Sequence, residues 1–131
     1  MKTDKIHLFS FLVIVLFSCS KQLFQTNGEA IYQTGKNLQG EQILDKNASR
    51  IKFATNCKVC HGKKGDRMNG VSIQFRSLSN PNYYAIPYTD SLFFRFLDHD
   101  LKSNGQKADI GVIWKMNDSD KKDLLDYLKT L

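Results

Sequence analysis

Cysteine is scarce in this chain. Its three residues, Cys19, Cys57 and Cys60, cannot close a disulfide framework, so the fold must rest on a different kind of core. No apolar run is long enough to span a bilayer. The longest, Ile6 to Phe17, falls short of the roughly 20 residues a spanning helix needs, which excludes a multi-span membrane protein. Strand-like alternation and internal repeats are missing. So is any long basic run of the kind that marks nucleic-acid arms, although the net charge of +6 favours an anionic partner or surface. What remains is a chain of 131 residues, 41% apolar and 24% charged, which fits one small soluble globular domain and excludes a disordered tail.

The N-terminus carries an address. Lys2 and Lys5 precede the short apolar stretch, so residues 1–18 read as a secretory signal peptide. Leu16-Phe17-Ser18-Cys19 resembles the bacterial lipobox, which implies cleavage before Cys19 and a lipid on that cysteine. The domain is then anchored to a bacterial membrane, in the periplasm or on the outer surface. An ordinary signal peptide with an incidental cysteine is the alternative, but it leaves a stray thiol in an oxidising compartment. Residues 19–40 are rich in Gln, Asn, Lys and Gly and are expected to form a lipid-anchored, solvated tether, with Tyr32 and Leu38 able to cover an apolar edge of the domain. Residues 41–131 are expected to be the domain itself.

Within that domain the periodicity is helical. Leu44, Ala48 and Ile51 predict a helix from residue 41 to about 60, broken by Gly62 and Gly65. Residues 66–89, punctuated by Asn80-Pro81-Asn82 and Ile86-Pro87, predict a long loop. Asp90 is placed to cap a helix with Leu92, Phe93, Phe96, Leu97 and Leu101 on its apolar face, and Gly105 to stop it. Asp118, Ser119 and Asp120 open a last helix with a Leu124, Tyr127, Leu128 and Leu131 stripe.

The chemistry lies in Cys57-Lys58-Val59-Cys60-His61, the C-x-x-C-H sequence of covalent haem attachment. Two intervening residues set the thiols about one helical turn apart, matching the two vinyl groups of haem. The adjacent His61 then offers its neutral imidazole to the iron. Three rivals are weaker. A zinc site needs four ligands, and only His99 remains among His and Cys of the domain. A thioredoxin-like pair expects a βαβ setting. A disulfide across so short a loop stabilises little.

The flanks add a resemblance. Ser49-x-x-x-Phe53-x-x-x-Cys57-x-x-Cys60-His61-Gly62 resembles the first helix of monohaem class I cytochromes c, and Leu124-Leu125-Asp126-Tyr127-Leu128-Lys129 resembles their last. In that family a small residue lets the first helix cross the last closely, against an aromatic of the last helix. The resemblance implies an all-α, cytochrome c-like fold of three to four short helices around one covalently bound haem c. It implies an electron carrier rather than an enzyme, monomeric, exchanging electrons with membrane-associated redox proteins and binding no nucleic acid. The family supplies a methionine from the loop before the last helix as the second axial ligand. That names Met116 beside His61 as metal ligand, ahead of Met68, His99 or an open position. An open position would make the chain a haem c enzyme or gas sensor with a peroxidase-like site. Ile86-Pro87-Tyr88-Thr89-Asp90-Ser91-Leu92 faintly resembles a segment of dihaem peroxidases, but with one attachment motif no catalytic residue is assigned. The aromatics Tyr83, Tyr84, Tyr88, Phe93, Phe94 and Phe96 are expected to pack around the ring. Lys58, Lys63, Lys64 and Arg67 form either a solvated surface or a docking face.

Overall fold

The computed structural model describes residues 23–67 and 72–131; the signal segment, Cys19 and Met68 lie outside them. The described residues form an all-α structure: α1 (Asn27–Thr34), α2 (Cys57–His61), α3 (Phe75–Leu78), α4 (Asp90–His99) and α5 (Asp118–Thr130). No helix among them is long and apolar enough to cross a membrane.

The first helix lies inside the stretch expected to be a tether. Thr26 caps it by accepting from the Glu29 amide at 3.1 Å, while the Glu29 carboxylate accepts from the Gln25 amide at 2.9 Å. Gly35, left-handed at φ 73°, closes its far end through a bond to the Ile31 carbonyl. Ile31 and Tyr32 are fully buried, so the folded unit begins well before Glu41.

Helix α1 packs most extensively against α5. Gly28 sits at the crossing. A Cβ there would lie 1.9 Å from the Asp123 carbonyl oxygen and 2.8 Å from the Tyr127 Cβ, so only hydrogen fits between the helices. The rings of Tyr32 and Tyr127 meet at 5.4 Å, tilted by 53°. The Asn27 amide donates to Asp120 at 2.9 Å and to Asp123 at 2.8 Å, fixing the register.

Helix α4 runs antiparallel to α5, with ion pairs at both ends: Asp90 with Lys129 at 3.0 Å and Asp98 with Lys121 at 2.9 Å. Thr89, not Asp90, is its cap, accepting from the Leu92 amide. Asp100, left-handed at φ 54°, ends it before Gly105 is reached. In α5 the cap is Asn117, and Asp118 opens the helix as the sequence suggests.

The helix expected over 41–60 is only α2. Upstream, Asp45 accepts from the Asn47 and Ala48 amides and its carbonyl accepts from Ser49, which winds one turn and no more. The chain then lies beside 109–115, with Leu44 bridged to Trp114 and the Arg50 and Ile51 amides both donating to the Gly111 carbonyl. Two apolar clusters result. The larger joins α1, α4 and α5 through Ile31, Tyr32, Phe93, Leu97, Leu124 and Leu128. The smaller, of Leu44, Ala54 and Val112, lies under the 35–56 segment.

Gly28→Ala tests the crossing. Helix propensity alone favours alanine by about 1 kcal/mol. The clash with Asp123 outweighs it, and unfolding free energy is expected to fall by about 2 kcal/mol in a denaturant titration.

Candidate functional site

The two clusters leave a cavity of about 900 Å³ between them, within the roughly 300–1,000 Å³ range of small-molecule and cofactor sites. Cys57, Cys60 and His61 all line it. They are placed by Asn56, whose side chain accepts from the Val59 amide at 3.0 Å and starts the single turn of α2. Gly62 ends that turn at φ 73° and ψ 179°, donating its amide to the Lys58 carbonyl at 2.8 Å. The sharp exit directs the chain back, and the Arg67 amide donates to the His61 carbonyl at 3.0 Å.

Cys57 and Cys60 are both free thiols. Burial pushes the Cys57 thiol up to about 12, so in this closed fold it stays protonated. Burial also holds the His61 imidazole below its ordinary value and therefore neutral at physiological pH, the form that ligates metal. Its Nδ1 is buried without a hydrogen-bond partner among the described residues. Those residues include no group of three or more His, Cys, Asp or Glu arranged to hold a metal ion.

The other walls are apolar and aromatic. Ile51 and Ala54 come from the 35–56 segment, Ile110, Val112 and Trp114 from the loop before α5, and Leu124 and Leu128 from α5. Tyr84 and Tyr88 pack edge to face at 5.3 Å, and Tyr88 meets Phe96 likewise at 6.3 Å. Burial pushes the pKa of both tyrosines above the ordinary phenol value, so they remain neutral. Tyr83 lines the cavity yet is 71% exposed, which marks a mouth to solvent. The indole N–H of Trp114 is buried on the cavity wall and lacks an acceptor among the described residues. A buried donor of this kind is costly unless an acceptor arrives with a bound group.

The structure thus brings three of the four site residues expected from the sequence to one cavity. Met116 does not line it; its partly buried side chain packs against the larger cluster just ahead of the α5 cap. His99 is exposed at the end of α4. Phe94 packs against the larger cluster and carries Lys121 over its ring at 5.9 Å, while Phe93 and Phe96 reach the cavity. Lys58, Lys63, Lys64 and Arg67 are exposed around the motif.

Ser49 and Phe53 do not take the roles assigned to them. Phe53 is 73% exposed. Ser49 is buried, but its hydroxyl donates to the Asp45 carbonyl at 2.6 Å and accepts from the Ile113 amide at 2.9 Å, pinning the 35–56 segment over the cavity. The small residue and aromatic at a helix crossing are instead Gly28 and Tyr32, at the same four-residue spacing. The Thr26-x-x-Glu29 capping signature and the stop at Gly35 were the signals that mark this helix in the sequence.

Ser49→Ala leaves the Ile113 amide without its acceptor. Stability is expected to fall by about 1–3 kcal/mol, with faster hydrogen exchange at Ile113. Compared with family models, curated proteins and solved structures, the chain finds no match.

Proposed function

We propose that this chain is a lipid-anchored, monohaem c-type cytochrome domain that carries single electrons between membrane-associated redox proteins. The observation that carries this reading is the convergence of Cys57, Cys60 and His61, at haem-attachment spacing, on one large apolar cavity. The cytochrome c-like arrangement belongs to the same reading, supported by the close crossing of the first and last helices at Gly28. A haem bound there supplies one-electron exchange at its iron. Cys57 and Cys60 would hold it through thioethers, and the neutral imidazole of His61 would ligate the metal. Trp114 offers its unpaired N–H to a polar edge of the group. Away from the mouth at Tyr83, the apolar and aromatic walls would limit water around the bound group, which favours fast exchange and would help set its potential.

A second reading has a specific observation behind it. Met116, the methionine expected as second ligand, packs against the larger cluster and is not among the residues lining the cavity, and a haem protein with an open site for a small ligand would fit that arrangement. Carbon monoxide separates the two. An electron carrier with Met116 as ligand is low-spin when reduced, leaves carbon monoxide unbound, and loses its weak red-edge sulfur-to-iron band on Met116→Ala. Carbon monoxide binding by the unaltered protein, with a spectrum indifferent to Met116→Ala, decides for the open site.

The haem reading itself is tested by acid extraction and a haem stain on a denaturing gel. The cofactor is expected to stay with the chain, and Cys57→Ala with Cys60→Ala is expected to leave a largely unfolded apoprotein, since the ring fills the cavity. A chain purified from its own host with zinc or nothing bound refutes it. For the anchor, Cys19→Ser is expected to release the domain from the membrane with its absorption spectrum unchanged, and the intact mass of the mature protein should show the acyl increment.

A further inference from the structure

Tyr32 is fully buried, and its ring packs on Tyr127 in the crossing of α1 and α5. A phenylalanine would satisfy that packing. The hydroxyl does something else: it donates to the carbonyl of Gly62 at 2.6 Å, the short end of the range for such bonds. Gly62 directly follows His61. Within the motif's own loop the turn around His61 is closed by backbone bonds from the Gly62 amide to Lys58, from the Gly65 amide to the same Gly62 carbonyl at 3.5 Å, and from the Arg67 amide to His61. The Tyr32 bond spans 30 positions of chain and ties the turn to the crossing of α1 and α5. Burial pushes the pKa of the Tyr32 phenol above its ordinary value, so it keeps its proton and remains a donor.

Ligating histidines usually have their ring orientation fixed by a hydrogen bond from the second nitrogen. Here the Nδ1 of His61 has no such partner among the described residues, so the backbone clamp and the packing of the ring set its direction. We infer that Tyr32 is a positioning residue for His61: its hydroxyl, anchored in the α1 and α5 crossing, fixes the turn that aims the imidazole into the cavity. The inference rests on the haem reading above, in which His61 is the proximal ligand.

Tyr32→Phe in the full, haem-loaded chain tests it, with Tyr127→Phe as the comparison, since that change also removes a phenol from the same ring pair without touching the motif. Tyr32→Phe is expected to retain covalent haem, but to shift and broaden the electron paramagnetic resonance lines of the oxidised protein and to move the reduction potential. Tyr127→Phe is expected to leave both unchanged. Equal behaviour of the two variants in resonance and potential, whatever their thermal midpoints, overturns the positioning role and leaves the haem reading intact. An unaltered chain that carries no covalent haem overturns both. If Tyr32→Phe yields no folded protein, the proton spectrum of the unaltered reduced protein decides: a slowly exchanging Tyr32 hydroxyl proton close to Gly62 supports the inference, and a freely exchanging one overturns it.

Discussion

The contact on which the rest depends is the approach of α1 to α5 at Gly28. It joins the two ends of the described chain, so it carries a large loop-closure entropy and must be repaid by dense packing. The repayment is visible in Ile31, Tyr32, Leu124, Leu125 and Leu128, all fully buried or nearly so. Asn27 adds a polar lock. Its side chain donates to Asp120 and Asp123 and accepts from the Leu38 amide, so the entry to α1, the start of α5 and the first turn of the 35–56 segment share one side chain.

From that crossing the cavity follows. Helix α2 is too short to be stable by itself, and its position is borrowed from its neighbours: α1 through Tyr32, and Asn56 at its start. Across from it, the 35–56 segment and the 109–115 stretch exchange backbone hydrogen bonds and form a second, smaller cluster. Trp114 packs against both clusters, and Ile43 carries the 35–56 segment into the larger one. The space between the two clusters falls in the size range of cofactor and small-molecule sites.

Local signals and long-range ones differed in legibility. The motif at Cys57 to His61 is readable because its meaning lies in adjacent residues. Helices α4 and α5 are readable because their apolar stripes are long, with only their caps displaced, to Thr89 and Asn117. Helix α1 is harder, since among its eight residues only Ile31 and Tyr32 are large apolar side chains, and the surrounding Gln, Asn and Lys mimic a tether. Its capping residues were informative, but its burial depends on α5, far along the chain. The opposite error arose at Leu44, Ala48 and Ile51, whose helical spacing is real. Asp45, Ser49 and Asn56 divert the backbone there through side-chain hydrogen bonds, so Leu44 and Ile51 join the cluster of Val112 and Trp114 while Ala48 stays exposed. Ser49 and Gly28 share a sequence pattern, and only the three-dimensional neighbourhood tells which of them meets another helix.

The pairing of the first and last helices also dictates an order of assembly. Ribosomes deliver the chain from its N-terminus, so α1 has no surface to rest on until the final thirteen-residue helix has been made. Until then the cavity that Cys57 and Cys60 line lacks the wall that Leu124 and Leu128 of α5 supply. Helix α5, which follows the other described helices in the chain, acts as a latch. Chemistry on the two cysteines is easiest before it shuts, and whatever the cavity then holds is enclosed by the same event that completes the fold.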